Sequence, residues 1–331
     1  MKIYDLRTEY RENPIGLVVK SPRFSWKMRT DEKNTVQNIY RIEVTDAEKT
    51  VWDTGMRESR DSVLVPYEGE ALRDETFYNV KVTVWDNYGR ADSAETAFET
   101  GIFDPQAFRA EMITHDFEKE ETACPVFYKN IVLKGDVKKA RLYATAQGVY
   151  EFAVNGVKAG EDRMTPGWTS YRSRLQYQTY DVTGQLKSGE NLLEMTVGNG
   201  WYKGILGFMC TPNIYGDRVG AFAELHISYE NGESEVICTD ESWGVRTGEI
   251  RYSEIYMGET IDTDSPQVRE GKVSSKEFDK GILTAQENEP VRITERIPAK
   301  ELVVTPKGER LVDFGQNITG LAEIRIRGRK G

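Results

Sequence analysis

Cysteine and histidine are scarce in this chain of 331 residues. The three cysteines, Cys124, Cys210 and Cys238, are odd in number, lie far apart and form no CxxC pair. That pattern argues against a disulfide framework and a zinc cluster and predicts buried, reduced thiols. The two histidines, His115 and His226, have no partner at the spacing of a metal site or a catalytic triad. We therefore expect no metal and no cofactor.

Long apolar runs and an excess of positive charge are also missing. No run of about 18 apolar residues is available to span a bilayer. The opening residues, MKIYDLRTEYRENP, have neither the basic nor the apolar segment of a signal peptide. These features predict a cytoplasmic protein with no membrane partner. The formal net charge is -10 and no dense basic stripe occurs, which argues against nucleic acid as a partner.

Alternating apolar residues, by contrast, are abundant. Val80, Val82 and Val84 share one face of a predicted strand, and residues 223–229 alternate in the same way. His226 falls on the opposite face of that second strand, so we expect it on the exterior of the sheet. Because no convincing stretch has the period of an amphipathic helix, the chain is predicted to be all-β. Asn-Gly pairs typical of antiparallel hairpins, and hence of sandwiches or jelly rolls, occur at residues 155–156 and 231–232.

Breaks in the alternation divide the chain into three predicted domains. Residues 1–103 form a unit of sandwich size that ends at a cluster of turn formers. Residues 104–290 form a second sandwich, a jelly roll, which ends in a polar stretch with prolines. Residues 291–331 begin a further sandwich, but about forty residues are too few for an independent core, so we expect this domain to be truncated.

The first domain resembles a fibronectin type III module. The resemblance rests on Trp26 in FSWKM, on the strand YRIEVTD and on Leu72, placed six residues before Tyr78. It implies that Trp26 fills the core and that Tyr78 ties back the corner that precedes its strand. Both are packing roles, so this module is expected to carry no chemistry.

The most informative region concentrates aromatic, arginine and amide side chains in turns. It covers residues 166–183, PGWTSYRSRLQYQTYDVT, and residues 198–204, GNGWYKG. Aromatic faces can cover the apolar faces of a sugar ring, while arginine and glutamine supply directional hydrogen bonds to hydroxyls. The alternative is a sheet rim packed by its own aromatics, with arginines that pair with loop carboxylates. The candidate substrate-binding residues are Trp168, Tyr171, Arg172, Arg174, Trp201 and Tyr202.

Three other patterns favour structural roles. Glu259 and Asp262 are well-spaced carboxylates, but such a pair on a loop is usually solvated, so no catalytic residue is assigned. The segment WDNYGRADS at residues 85–93 lacks the closing glutamate of a calcium hand, which favours a hairpin turn. The GNG turn at residues 198–200 could hold a phosphate only with a helix after it, and no helix is predicted there.

Four motifs follow one another along nearly half of the chain, between residues 166 and 320. They are a PGWT turn leading to YDVT at residues 166–183, a GWY loop at 200–204, DESW with IYMGETID at 240–243 and 255–262, and VDFGQNITG at 312–320. Together they resemble the bacterial α-L-rhamnosidases of glycoside hydrolase family 78. Asn199 is a departure, because that loop position is often acidic in the family.

The resemblance implies a non-catalytic part of an enzyme that hydrolyses terminal α-L-rhamnosides. In the family, β-sandwich domains precede an (α/α)6 barrel that carries the acids of an inverting glycosidase, and this barrel would lie after Gly331. Inversion uses two carboxyl groups about 6.5 to 9.5 Å apart, and neither role maps onto a residue here. The implied partners are an L-rhamnose-containing glycoside and the chain's own C-terminal barrel. A stand-alone carbohydrate-binding module and a structural or interaction protein built from tandem sandwiches are the alternatives.

Overall fold

The computed structural model describes residues 1–264, 267–325 and 327. Strands make up nearly all of the regular structure, which confirms the predicted all-β class. The chain divides into two units, residues 1–291 and residues 292–331. Among the described residues, no helix combines the length and apolar character needed to cross a membrane.

The N-terminal module is a sandwich of two antiparallel sheets. Its strands are β1 (Lys2–Thr8), β2 (Arg23–Arg29), β3 (Gln37–Thr45), β4 (Thr50–Asp53), β5 (Arg57–Glu58), β6 (Val65–Pro66), β7 (Phe77–Asp86) and β8 (Ala91–Glu99). The smaller sheet has the order β1-β2-β6, and the larger has the order β4-β3-β7-β8 with β5 beside β3. Alternate side chains from both sheets, including Phe24, Ile42 and Val82, form one core between them.

Trp26 and Tyr78 take the packing roles that the resemblance to a fibronectin type III module implies. Trp26 is 2% exposed, and its indole N–H donates to Gln37 Oε1 at 2.9 Å. The hydroxyl of the buried Tyr78 accepts a hydrogen bond from the backbone N–H of Arg73 at 2.9 Å. This bond ties back the loop that enters β7.

The second module contains a larger number of strands and very little helix. Its strands are β9 (Met112–His115), β10 (Pro125–Leu133), β11 (Val137–Gln147), β12 (Val149–Val154), β13 (Val157–Lys158), β14 (Leu175–Asp181), β15 (Gly189–Gly198), β16 (Gly220–Tyr229), β17 (Ser234–Cys238), β18 (Gly244–Thr247), β19 (Ile250–Glu254), β20 (Gly258–Ile261), β21 (Glu270–Gly271), β22 (Val273–Lys276) and β23 (Leu283–Ala285). Its helical turns are α1 (Gly200–Lys203) and 3₁₀ turns at Pro105–Ala107, Thr183–Gln185 and Lys280–Ile282.

Two sheets of the second module face each other across its main core. One has six strands in the order β13-β12-β15-β10-β18-β21. The other has seven, in the order β22-β9-β16-β11-β14-β23 with β17 beside β16. Inward residues such as Phe127, Leu142, Val197 and Leu225 fill the space between them. β19 and β20 pair as a separate hairpin.

The seven-stranded sheet is covered on its outer face as well. In β11, residues 140–147 are all buried, although only alternate ones face the main core. Leu142 belongs to that core, whereas Tyr143 belongs to a second cluster on the opposite face. This second cluster includes Ile102 and contacts Val18 of the N-terminal module. The N-terminal module therefore docks on the outer face of the seven-stranded sheet.

Gly16 lies at a close approach between the two modules. Its φ is +68°, and a Cβ at this position would lie 2.1 Å from Thr179 Oγ1 on β14. Gly16→Ala should therefore lower the free energy of unfolding by about 1 to 3 kcal/mol, through backbone strain and a steric clash. Gly55→Ala is the matched control, because Gly55 has a φ of +60° but no atom within 4 Å of its built Cβ. Equal losses in denaturant melts of the two variants would contradict a clash at the docking face.

Residues 292–331 form the other unit. Its described residues contain one antiparallel hairpin, made of β24 (Glu301–Val304) and β25 (Arg310–Asp313). The predicted domain boundaries at residues 103 and 290, and the predicted truncation of the last domain, stay predictions.

Candidate functional site

The predicted substrate-binding residues lie on two loops of the second module. The first loop joins β13 to β14 and carries residues 168–174, and the second begins with α1 and carries Trp201 and Tyr202. Gly200 turns the chain from β15 into α1 with a φ of +53°, and a Cβ there would lie 2.5 Å from Val149 Cγ2. Only glycine fits at this turn. The second loop lies beside the first, because Trp201 stacks on Trp168.

Tyr171 and Tyr202 are packing residues of these loops. They are 3% and 5% exposed, and their rings meet edge to face with centroids 5.2 Å apart. Tyr215 packs on both of them. Lys276 Nζ donates to the Tyr202 hydroxyl at 3.1 Å. Both rings belong to the cluster on the outer face of the seven-stranded sheet, so their faces are occupied by protein.

Trp168 and Trp201 present a different arrangement. Their rings are parallel within 5°, with centroids 6.2 Å apart. Trp168 is 54% exposed, and its indole N–H donates to the Tyr215 hydroxyl at 3.3 Å. Trp201 is half-buried against the packed tyrosines. The pair therefore offers exposed aromatic surface on a buried support.

Arg172 and Arg174 brace the loops. Arg172 Nη2 donates to the backbone oxygen of Ile214 at 3.0 Å, which joins the first loop to the second. Arg174 Nη2 pairs with Glu287 Oε2 at 2.8 Å, with both side chains exposed. The sequence left carboxylate pairing and ligand contact open, and in the structure each arginine has a protein partner.

Glu254 is a residue of this region that the sequence analysis missed. Its carboxylate accepts hydrogen bonds from the Asn199 side chain at 2.9 Å and from the backbone N–H of Ile205 at 3.1 Å. These bonds fasten the end of β19 to α1 and the loop after it. Asn199 departs from the acidic residue often found in the family, and here its amide donates to a carboxylate that a second acid would repel. The amide at position 199 was therefore the available sequence signal that its partner is acidic.

The remaining predicted patterns have mixed outcomes. Glu259 lies on the exposed strand β20 and accepts a hydrogen bond from Ser253 Oγ at 3.4 Å. The Asp86 carboxylate accepts from two backbone N–H groups of its own turn, which confirms the predicted hairpin turn between β7 and β8. The prediction that no helix follows residues 198–200 is wrong, because α1 begins at Gly200. It consists of only four residues, which is too short to provide a site at its N-terminus.

The histidines and cysteines form no metal site in the part of the chain that the structure describes. All three cysteines are free, but the prediction that they are buried is correct only for Cys124, because Cys210 is exposed and Cys238 is half-buried. Burial raises the pKa of Cys124 to about 12. Burial, reinforced by nearby positive charges, lowers the pKa of His115 to about 4. His226 lies on the face of β16 away from the main core, as alternation predicts. That face is covered, however, and His226 Nδ1 lies 2.8 Å from Glu75 Oε1 of the N-terminal module.

Two family models match the chain. The model described as "Rha78A-like, N-terminal immunoglobulin domain" matches residues 3–104. The model described as "Alpha-L-rhamnosidase N-terminal domain" matches residues 135–295. Because the first names an immunoglobulin domain, the fibronectin type III assignment of the N-terminal module stays a prediction.

Similar proteins include several α-L-rhamnosidases. That of Streptomyces avermitilis is 38% identical over 206 residues, which cover 59% of this chain and 20% of the relative. The crystal structure of native α-L-rhamnosidase from Aspergillus terreus is 31% identical with a TM-score of 0.87, covering 96% of this chain and 39% of that one. The structure from Dictyoglumus thermophilum is 29% identical with a TM-score of 0.79, covering 95% and 38%. The chain thus spans less than two fifths of the length of these relatives.

The motifs, the tandem sandwiches and these similarities all indicate the same family. The two family models lie on the two modules that the structure describes, in the same order. The chain belongs to the α-L-rhamnosidases of glycoside hydrolase family 78, as an N-terminal β-sandwich region.

Proposed function

We propose that this chain is a non-catalytic region of an enzyme that hydrolyses terminal α-L-rhamnosides. Hydrolysis takes place by inversion, with two carboxyl groups of a C-terminal (α/α)6 barrel outside these residues. The observation that carries the proposal is the TM-score of 0.87 against a native α-L-rhamnosidase, of which this chain covers 39%. The sandwiches brace the barrel and form one wall of its pocket. A cytoplasmic location is also proposed, in keeping with three free thiols.

The acidic side chains around the aromatic loops support the assignment of catalysis to another domain. Glu287 is held by Arg174, and Glu254 is held by Asn199 and the backbone of Ile205. These carboxylates serve as braces between loops. An inverting pair needs instead one acid and one base that face each other across a water-filled gap of about 6.5 to 9.5 Å.

Contact with the sugar is assigned to the exposed face formed by Trp168 and Trp201. An indole face suits the apolar face of a pyranose ring, and Trp168 is the more exposed of the two. Tyr171 and Tyr202 are buried, and they pack on Tyr215, whose hydroxyl accepts the Trp168 indole N–H. In this arrangement Trp168 and Trp201 contact the ligand, whereas Tyr171 and Tyr202 hold the loops of the two tryptophans in place.

Trp168→Ala tests the assigned contact. The wild-type chain should bind L-rhamnose in the millimolar range, about -4 kcal/mol. The variant should bind roughly two to ten times more weakly, through loss of about 0.5 to 1.5 kcal/mol of ring contact. Its melting temperature should change little, because Trp168 is 54% exposed. Affinity is measured by NMR titration and stability by thermal melts.

Tyr88→Ala provides the matched control, since Tyr88 is 56% exposed on the N-terminal module. It should change neither affinity nor stability. Unchanged affinity in Trp168→Ala, or a stability loss of about 3 to 5 kcal/mol as for a buried aromatic, would contradict the sugar contact.

A chromogenic α-L-rhamnoside tests the division of labour. The 331-residue chain should release no chromophore, whereas the whole parent protein should release it. Release by the 331-residue chain would overturn the assignment of both acids to another domain. Sugar binding without hydrolysis by the parent would indicate a carbohydrate-binding module, and the absence of both would indicate an interaction protein.

A further inference from the structure

The seam between the two modules contains a half-buried histidine held between two carboxylates. His226 projects from the outer face of β16. Its Nε2 lies 2.8 Å from Glu224 Oε1 on the same strand, and its Nδ1 lies 2.8 Å from Glu75 Oε1 on the loop before β7. His226 therefore joins the second module to the N-terminal module.

This geometry requires the charged form of the imidazole. A neutral imidazole has one N–H donor and one acceptor nitrogen, so one of the two carboxylates would face a lone pair. An imidazolium donates from both nitrogens and satisfies Glu75 and Glu224 together. The state of the seam thus depends on one proton.

The two carboxylates differ in how much they depend on that proton. Glu224 is 1% exposed, and its Oε2 also accepts backbone N–H groups of Arg109 and Ala110 at 2.6 and 2.7 Å. Among the described residues, Glu75 has one other side-chain donor, the Tyr143 hydroxyl at 3.0 Å from its Oε1. Loss of the proton would consequently weaken the bond that holds the N-terminal module more than the bond within β16.

Other charged and titratable groups lie around His226, Glu75 and Glu224. Lys139 Nζ donates to the backbone oxygen of Glu75 at 3.1 Å. Cys238 Sγ donates to Glu224 Oε2 at 3.6 Å. Along the same seam, Arg141 and Lys139 both pair with Glu99. The titratable groups next to His226 and its two carboxylates are thus Tyr143, whose ring meets the imidazole edge to face with centroids 5.3 Å apart, Lys139, Cys238 and, opposite on β11, Arg141.

We propose that His226 is a proton-dependent clamp between the modules. The charged imidazole holds residues 72–78, the Glu75 corner, against the second module, and loss of the proton releases them. The Arg141–Glu99 pair lies beside it, with Arg141 opposite His226 in the pairing of β11 with β16. This pair keeps the modules attached while the Glu75 corner opens. The clamp is independent of any sugar contact at Trp168.

The direction of the pH dependence follows from the surroundings of His226. Burial alone would lower the pKa of His226, but hydrogen bonds to Glu224 and Glu75 outweigh it and raise this pKa to about 9. Burial alone would raise the pKa of Glu75, but its bond to His226 holds that pKa below the ordinary value. Because the folded pKa of His226 is raised, its contribution to stability is complete below about pH 6.5 and is lost as the pH rises through about 9.

Two measurements on the whole chain test the clamp. The first is an NMR titration of the imidazole protons, which is simple because the chain has two histidines. His226 should titrate near pH 9 and His115 near pH 4, with His115→Gln used for assignment.

The second measurement is hydrogen exchange, corrected for intrinsic rates, in residues 72–78 at pH 7 and pH 9.5. Protection there should fall at the higher pH while the β10–β15 amides keep theirs.

Glu75→Gln is the decisive variant, because it keeps the shape of the side chain and removes its charge. It should lower the His226 midpoint by about one pH unit or more and make protection in residues 72–78 independent of pH. Glu70→Gln is the matched control, since Glu70 pairs with exposed Lys49 on the same module. A His226 midpoint near 6.5, a midpoint unaffected by Glu75→Gln, or equal protection of residues 72–78 at both pH values would each overturn the proposal.

Discussion

Replacing Glu99 with alanine should lower the free energy of unfolding of residues 1–291 by about 3 to 5 kcal/mol. Glu99 ends β8 and is 2% exposed. Its carboxylate accepts from Arg141 Nε and Nη2 at 2.9 and 2.8 Å, and Lys139 Nζ lies 2.9 Å away. Removal of the carboxylate leaves the Arg141 guanidinium buried beside one remaining acid, Asp181, at 2.9 Å. Equilibrium unfolding in denaturant measures the loss.

Glu95→Ala is the control for Glu99→Ala. Glu95 lies on the same strand and carries the same charge, but its side chain is 74% exposed and its contact with Lys81 is 3.7 Å long. Such a surface pair is worth about 0 to 1 kcal/mol. If both variants lost the same amount, the Glu99–Arg141 pair would not be a structural contact between the modules.

Tyr202→Ala should lower the free energy of unfolding by about 3 to 5 kcal/mol, as truncation of a buried aromatic does. Tyr202 is 5% exposed, and its ring packs on Tyr171 and Tyr215. Its hydroxyl also accepts from Lys276, whose Nζ lies 5.2 Å from the ring centroid. The cavity left by the substitution would loosen the support of Trp201, so L-rhamnose affinity should fall together with stability.

Two further variants separate the contributions of Tyr202. Tyr202→Phe keeps the ring and removes only the hydrogen bond to Lys276, so it should cost about 1 kcal/mol. Tyr256→Ala removes a ring that is 62% exposed and should cost little. Calorimetric melts of the three variants measure these losses in the free energy of unfolding. A small loss in Tyr202→Ala would mean that Tyr202 is not a packing residue.

The strands and the main cores could be predicted from the sequence, because alternation reports directly which face of a strand is buried. Val80, Val82 and Val84 are fully buried, as their spacing predicts. For these valines the signal is local and needs no knowledge of the rest of the chain. Trp26 and Tyr78 also have the packing contacts that the resemblance to a fibronectin type III module implies.

The burial of the outer face of β11 could not be predicted in this way. Arg141, Tyr143 and Thr145 alternate with the core row and would suit a solvent-facing surface, yet each is buried. They are covered by the docked N-terminal module and by residues 102–112, which come from elsewhere in the chain. Burial of this kind depends on tertiary contacts and leaves no period in the sequence.

The candidate site was predictable as a region but not residue by residue. The same stretch contains Trp168, which is half exposed, and Tyr171, which is buried, only three positions later. Loops have no fixed period, so spacing cannot show which aromatic faces inward. The bonds of Glu254 to α1 are equally invisible, because they join segments about fifty residues apart in sequence.

The docked seam bears on how this region can be cut, grafted or recombined. A truncation near residue 103 would leave Arg141, Tyr143 and His226 facing water without the acids that complement them. Aggregation-prone material is the expected product of such a cut, whichever half is expressed. For the same reason, a chimaera between two homologues should inherit both modules from one parent, since Glu75 and Glu99 must match the basic groups across the seam.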